Sequence, residues 1–449
     1  MKTFIDFPYK HILVLGLAKS GTAAAKALLK NGRKVRVNDR DAKEKDPTVQ
    51  ELIRMGAEVV VGSHPLSVLQ GTDIVVKNPG IPYDHPLIAE AEKNGIPVIT
   101  EIELAYHLSA CPMVGITGSN GKTTTTMLIT EMLATSDQDV KIAGNIGTVA
   151  TDVAQTTTPN ETMVVELSSF QLLGIQDFRP HIAVLLNVYE AHLDYHKTFF
   201  NYQQAKHNIF KNQTNEDYIV YNADQSHVCQ AVKQADSTKV PFSIQNQLPD
   251  GVWADEKDVY FKNEQVVKRD EIALVGNHNL ENILAAIGAA KLSGATNEAI
   301  RKVLRTFSGV KHRLQFVDNI NSRLFYNDSK ATNILATEKA LASFQRPTIL
   351  LAGGLDRGNS FTELIPYLHH VKAMVVFGET AEKLKDTAIK AGISKIKHVN
   401  NVKDAVYEAY DLSTTDDVIL LSPACASWDQ YQTFEERGDM FIQAVHTLK

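Results

Sequence analysis

Short apolar runs separated by amphipathic stretches organise the chain. His11-Ile12-Leu13-Val14-Leu15 precedes Thr22 to Leu29, whose alanines and leucines suit a packed helix, and Lys34 to Asn38 ends in Asp39. Runs at Val59–Val61, Ile74–Val76 and Pro97–Ile99 keep the rhythm. Strands alternating with helices predict a parallel sheet covered on both faces. A second series starts near Pro112, with Met113–Ile116, Met163–Val165 and Ile182–Leu186 as strands. Between about Asp217 and Val275 the pieces are shorter and more polar, as at Tyr218–Tyr221 and Asp258–Phe261, which predicts an antiparallel appendage. After a helical stretch from Asn282 to Leu292 and a connector at Ser308-Gly309-Val310, the rhythm returns at Leu324–Tyr326, Thr348–Leu351, Met374–Phe377 and Val418–Leu421. The pattern predicts three tandem α/β domains, over residues 1–110, 111–310 and 311–449.

Composition agrees with that count. The 449 residues suffice for two to four domains, and 44% hydrophobic with 22% charged residues is the balance of a globular protein. A net charge of −6 offers no basic excess for a phosphate backbone, so nucleic acid is not an expected partner. Cys111, Cys229 and Cys425 form no C-x-x-C pair and read as reduced thiols. Met1 to Asp6 meets acid and then proline before any long apolar run, unlike a secretory signal, and no stretch has the length of a membrane span. A cytoplasmic protein is expected.

Chemistry concentrates in turns after strands. Gly115-Ile116-Thr117-Gly118-Ser119-Asn120-Gly121-Lys122-Thr123-Thr124 follows a strand and opens a Thr-rich helix. There, successive backbone N–H groups can cradle phosphates, while Lys122 supplies charge and Thr123 a hydroxyl for magnesium. Ile116 stands where a strict P-loop has glycine, so the competing reading is a glycine-rich turn of structural use only. Glu166, at the end of Met163–Val165, is placed to help hold the metal of a bound triphosphate. In the first domain, Gly16-Leu17-Ala18-Lys19-Ser20-Gly21 occupies the first strand-to-helix turn, with Asp39 where a ribose-binding acid is expected. The G-x-G-x-x-G fingerprint is absent, so a nucleotide grip and tight packing both remain open. Asn78-Pro79-Gly80 is a turn facing the same crevice by topology.

Taken together, these segments resemble the Mur ligases, the ATP-dependent enzymes that build the peptide stem of bacterial cell-wall precursors. The resemblance rests on Thr117–Thr123, Glu166-Leu167-Ser168-Ser169-Phe170-Gln171, Gly276-Asn277-His278-Asn279-Leu280-Glu281-Asn282, His312-Arg313 and Asn327-Asp328-Ser329-Lys330-Ala331-Thr332-Asn333. Leu15–Gly21 and Leu421-Ser422-Pro423-Ala424-Cys425-Ala426-Ser427 are most similar to the branch that adds D-glutamate to UDP-N-acetylmuramoyl-L-alanine. What the resemblance implies is an α/β fold of three domains: a Rossmann-like parallel sheet for the uridine nucleotide, a central P-loop ATPase domain with a small antiparallel appendage, and a Rossmann-like C-terminal domain for the amino acid. It implies peptide-bond formation through an acyl phosphate, with release of ADP and phosphate.

Carried onto matching positions, the resemblance makes Lys122, Glu166, His192 and Lys206 catalytic. Thr123, Glu166, His192 and Lys206 become holders of two Mg2+ ions, with Lys206 carried as a carbamate. ATP, the co-substrate, would meet Gly118, Ser119, Asn120, Gly121, Lys122, Thr123, Thr124, Asn279, Asn282, Arg313, Asp328 and Lys330. The UDP substrate would meet Gly16, Leu17, Ala18, Lys19, Ser20, Asp39, Arg40, Asn78, Gly80 and Asn145. For D-glutamate the matching residues are Lys330, Thr332, Arg357, Ser427 and Phe434, with Arg357 standing where a lysine is expected and Lys77-Asn78 at a position that varies among relatives. The partners are these small molecules alone, and a monomer is expected. Competing assignments are a Mur ligase adding L-alanine to UDP-N-acetylmuramate, a folate polyglutamylating relative, a nicotinamide-dependent oxidoreductase and an idle nucleotide-binding scaffold. The βα units before Pro112 disfavour the folate relative, and the broken glycine fingerprint disfavours the oxidoreductase.

Overall fold

Three sheets carry the twenty strands found among the described residues of this computed structural model, which are residue 4 and residues 6–448. The reading of Met1 to Asp6 falls mostly outside that set. No helix of the described residues is long and apolar enough to cross a membrane. By contact the chain divides into two units, residues 1–271 with 278–305 and residues 272–277 with 306–449. The first unit holds the first two sheets and the second unit holds the third.

The first sheet comprises β1 (His11–Leu15), β2 (Lys34–Asp39), β3 (Glu58–Val61), β4 (Ile74–Lys77) and β5 (Val98–Thr100), all parallel, in the order β3-β2-β1-β4-β5. Side-chain alternation explains why its strands read as unbroken apolar runs. Ile12 and Val14 pack with Ala24, Ala25 and Leu28 on one face, while Leu13 and Leu15 meet Leu87 and Ile88 on the other. Strand order reverses between β1 and β4, the switch point where such sheets present their ligand crevice. Gly21 lets the helix Lys19–Lys30 approach closely, because a Cβ there would fall on the Gly16 carbonyl.

The second sheet runs β14-β13-β12-β11-β10-β9-β6-β8-β7. Its strands are β6 (Met113–Thr117), β7 (Val140–Gly144), β8 (Thr162–Glu166), β9 (Ile182–Leu185), β10 (Tyr218–Asn222), β11 (Thr238–Ser243), β12 (Val252–Ala254), β13 (Asp258–Phe261) and β14 (Glu264–Lys268). Here the expected appendage needs correction. Tyr218–Asn222 pairs parallel with β9, Tyr218 opposite Ile182, and β11 and β12 extend the parallel ladder. Only β12-β13-β14 is antiparallel, a meander on the same continuous sheet. The preceding helix starts at Asn277 and runs to Leu292.

The third sheet, β15-β16-β20-β17-β18-β19, contains β15 (Gln315–Ile320), β16 (Arg323–Asn327), β17 (Thr348–Gly353), β18 (Val371–Phe377), β19 (Lys395–His398) and β20 (Val418–Leu421). It is parallel except for β15, which pairs antiparallel with β16. Leu350, Met374 and Leu420 build one core face and Ile349, Val375 and Ile419 the other.

Candidate active site

In the first unit, the segment after β6 lies between the ends of β8 and β9, and hydrogen bonds tie it to the residues after β9. Ser119 N donates to Asn187 O at 2.8 Å, Asn120 N donates to Asn187 Oδ1 at 2.9 Å, and Asn187 Nδ2 returns a bond to Asn120 O at 3.2 Å. Gly121 caps the helix Lys122–Thr135 in the left-handed region, φ 84°, and the first N–H groups of that helix have no acceptor within it. Thr124 lies on its first turn. A Cβ on Gly121 would strike the side-chain amide of Asn282, which backs the loop from the helix Asn277–Leu292, a helix that also carries buried Asn279. Lys122 Nζ donates to Gly118 O at 2.9 Å and to Ser119 O at 3.2 Å.

The β8 end supplies the acid. Thr123 Oγ1 donates to Glu166 Oε2 at 2.7 Å and Asn145 Nδ2 to Glu166 Oε1 at 2.9 Å, with Glu166 buried. A carboxylate, a hydroxyl and an amide thus converge next to the Gly118–Thr123 turn, and the first two are hard oxygen donors suited to Mg2+. Lys206, on the helix Phe199–His207, is 2% exposed and donates to Gly118 O at 2.8 Å. Burial first, and the Lys122 cation second, hold its pKa well below the ordinary lysine value. His192 has φ 55° and caps the short helix Leu193–His196. Burial and the Lys206 charge lower its pKa, and burial with the His192 charge pushes that of His196 down to about 4. The bases of this corner are therefore biased towards their neutral, ligating forms.

At the first-sheet switch point Gly16, Leu17 and Ala18 turn into the helix carrying exposed Lys19 and half-buried Ser20. Asp39 is engaged by the backbone: Leu17 N donates to Oδ2 at 2.6 Å, and Asp41 N and Ala42 N donate to Oδ1 at 2.8 Å. Burial opposes ionisation, and those donors outweigh it, leaving its pKa low. Arg40 extends beside Asp41. Asn78 Nδ2 donates to Ser20 Oγ at 3.2 Å and Gly80 N to Asn78 Oδ1 at 3.1 Å, joining the two turns.

In the second unit the loops after β16, β17 and β20 gather the remaining predicted residues. Asp328 accepts from Leu314 N at 3.0 Å and from Ser422 Oγ at 2.9 Å, and burial pushes its pKa up to about 7. Arg313 lies in the turn before β15. Lys330 Nζ stands 5.0 Å from the Phe434 ring centre, and Thr332 N donates to Lys330 O. The Arg357 guanidinium stacks 5.0 Å from the centre of the Trp428 ring, next to Ser427, whose buried hydroxyl has no partner among the described residues.

Sequence reasoning missed several residues that organise these loops. Arg437 is fully buried, donating to Ser329 Oγ at 3.0 Å, Ser329 O at 2.8 Å, Cys425 O at 3.0 Å and Gly353 O at 3.3 Å. Its spacing from inward-facing Phe441, Ala444 and Val445 was the available signal. Trp428, and Tyr195 and Tyr202 in the first unit, carried none. Elsewhere in the first unit, Glu103, His107 and Asp177 have metal-ligand spacing. The Glu103 carboxylate already accepts N–H bonds from Gln176, Asp177 and Phe178, and we read it as a clamp between the first two sheets.

Three family models match the chain in succession: the Mur ligase MurD-like N-terminal domain over residues 10–100, the Mur ligase middle domain over 116–290, and the Mur ligase glutamate ligase domain over 312–425. Among named relatives, the UDP-N-acetylmuramoylalanine–D-glutamate ligase of Oceanobacillus iheyensis is 62% identical over 449 residues, and that of Bacillus mycoides 57%, each covering 100% of both chains. A solved UDP-N-acetylmuramate-alanine ligase from Thermotoga maritima shares the fold with a TM-score of 0.57 at 18% identity, covering 98% of this chain and 100% of its own. On matches that run the length of all three sheets, the chain belongs to the Mur ligase family.

Proposed function

We propose that the chain is the ATP-dependent ligase that adds D-glutamate to UDP-N-acetylmuramoyl-L-alanine in peptidoglycan precursor synthesis. The observation that carries the chemistry is the convergence of Lys122, Thr123 and Glu166 at the ends of β6 and β8. The full-length similarity to D-glutamate ligases supports the choice of amino acid over L-alanine.

In this reading the amides of Gly121 to Thr124 at the helix N-terminus and the Lys122 ammonium hold the β- and γ-phosphates of ATP, within a loop whose Ser119 and Asn120 amides are held by Asn187. Thr123 and Glu166 would hold one Mg2+, and His192 with Lys206 a second. Bound there, the ions would neutralise charge on the transferred phosphoryl group. An ammonium cannot ligate Mg2+. A neutral Lys206 amine can react with carbon dioxide to give a carbamate and a proton, which turns it into an oxygen donor. Its burial beside Lys122 supports that reading. Asn145 orients Glu166 and faces the substrate.

The substrate's alanyl carboxylate attacks the γ-phosphorus and ADP leaves, giving an acyl phosphate. The D-glutamate amine then attacks the acyl carbon, phosphate departs and the amine loses a proton. Positioning and charge stabilisation carry most of such a reaction. Asn279, Asn282, Arg313, Asp328 and Lys330 would serve the nucleotide. Gly16 to Ser20, Asp39, Arg40, Asn78 and Gly80 would hold the UDP moiety. Lys330, Thr332, Arg357, Ser427 and Phe434 would surround the amino acid, where the unpaired Ser427 hydroxyl is a ready donor to a carboxylate. Functional domains over 1–110, 111–310 and 311–449, a monomeric state and a cytoplasmic location complete the proposal.

The test is phosphate release from MgATP with UDP-N-acetylmuramoyl-L-alanine and D-glutamate, L-glutamate, L-alanine or no amino acid, with the product identified by mass. Release and the mass gain appear only with D-glutamate. Turnover with L-alanine instead, or with none, removes the substrate assignment.

A further inference from the structure

Lys77 ends β4 and is 1% exposed, yet no carboxylate among the described residues meets it. Its Nζ donates to Ile81 O at 2.9 Å, Tyr195 Oη at 3.1 Å and Pro79 O at 3.2 Å, and stands 4.6 Å from the Tyr83 ring centre. The Tyr195 hydroxyl donates in turn to the same two carbonyls, at 3.0 and 3.1 Å. One side chain from the end of β4 and one from the helix Leu193–His196 thus converge on one pair of carbonyls in the Asn78–Ile81 turn. An ammonium is an expensive group to bury for packing alone, because its desolvation must be offset by well-placed oxygens.

On the other side, Tyr195 belongs to the four-residue helix capped by His192. The Phe170 ring meets Tyr195 edge-on at 4.6 Å and His192 at 5.1 Å, and stacks on His196 at 5.3 Å. Tyr202 touches both histidines and hydrogen-bonds Ser119 of the phosphate-binding turn at 3.0 Å. An unbroken chain of contacts therefore runs from Ser20 and Asn78 through Lys77 and Tyr195 to His192 and Ser119.

We propose that Lys77 and Tyr195 are positioning residues, a latch fastening the Asn78–Ile81 turn to the helix that carries His192, so that a uridine nucleotide seated on the turn orders the metal-binding corner. The coupling half of this proposal rests on the reading of the first sheet as the UDP site. The latch itself rests on the contacts alone.

The test compares wild type with Lys77→Met and the milder Tyr195→Phe by hydrogen exchange on the full chain, with and without UDP-N-acetylmuramoyl-L-alanine. Without ligand, amides of residues 193–197 exchange faster in both variants while those of β6, β8 and β9 keep wild-type rates. With ligand, the 193–197 amides slow in wild type and not in Lys77→Met. In turnover, Lys77→Met raises KM for the UDP substrate and the Mg2+ needed for half activity by roughly tenfold, with KM for D-glutamate unchanged. Wild-type exchange at 193–197 in both variants overturns the latch. So does uniform acceleration across the unit, which marks a merely structural role. If wild type binds no UDP substrate, the uridine reading falls, and the ligand-free exchange still decides the latch.

Discussion

Replacing Gly121 by alanine tests how the phosphate-binding turn is held. Two costs are separable. Alanine at φ 84° forfeits about 1–2 kcal/mol relative to a right-handed conformation. Its methyl would also land on the Asn282 amide, 2.8 Å from Cγ and 3.1 Å from Nδ2, in a place that is 4% exposed. Overpacking of that kind costs about 1–3 kcal/mol. The sum, about 2–5 kcal/mol, lowers the melting temperature of a unit this size by roughly 4–10 °C. Calorimetry on Gly121→Ala, Asn282→Ala and the double variant separates the parts. Truncating Asn282 on the Gly121→Ala background recovers the collision cost and leaves the backbone cost. Phosphate release stays at least about tenfold down in the double variant, because the loop amides remain displaced and a proposed nucleotide contact is gone. A Gly121→Ala melting temperature within about 1 °C of wild type, or no recovery on removing the Asn282 amide, would refute this account of the turn.

Glu101 is fully buried against Thr151, and burial pushes its pKa from 4.5 up to about 7. Between those values the folded chain keeps a proton that the unfolded chain has released, so this group's contribution to stability falls as pH rises through the window. Glu101→Gln, neutral throughout, gains on wild type by about 1–3 kcal/mol from pH 4.5 to 7 in urea titrations; parallel curves would sink the assignment. Trp428 is 65% exposed, so its hold on Arg357 is worth about 0.5–1 kcal/mol, and Trp428→Leu raises KM for D-glutamate by about two- to fivefold with kcat unchanged. An unaltered KM leaves the stacking without function. Active enzyme equilibrated with carbon-13 bicarbonate shows a carbamate resonance that Lys206→Ala lacks, and Lys206→Ala loses turnover; full activity without Lys206 excludes the carbamate role.

The central strands were legible because both their faces are buried, which leaves unbroken apolar runs such as Ile74-Val75-Val76. Three strands lying at sheet edges were not. β7, β15 and β19 carry Lys141, Asp318 and Lys395 among their apolar positions, as edges do to avoid pairing with other chains. The direction of β10 was hidden for another reason. Its partner, β9, lies a crossover away, and nothing local to Tyr218–Asn222 encodes whether it runs with or against Ile182–Leu185. In the candidate site, the turn Gly118 to Thr123 was legible because its glycines, lysine and threonine keep a fixed spacing between a strand and a helix. Lys77 and Tyr195 are 118 residues apart, and Arg357 and Trp428 are brought together only by the third sheet. Their partnership exists only after folding.

Arg437 sets the unit of exchange for anyone who would re-engineer the loops of the third sheet. One guanidinium from the helix Phe434–His446 binds the last carbonyl of β17 and the backbone of the loops that follow β16 and β20. A loop swapped in from a relative must return its backbone carbonyl to the same place, or it strands a buried charge. Under the proposed placing of the amino acid in this unit, its selectivity is therefore transplanted only with the backbone path of all three segments and the Arg437 helix kept together.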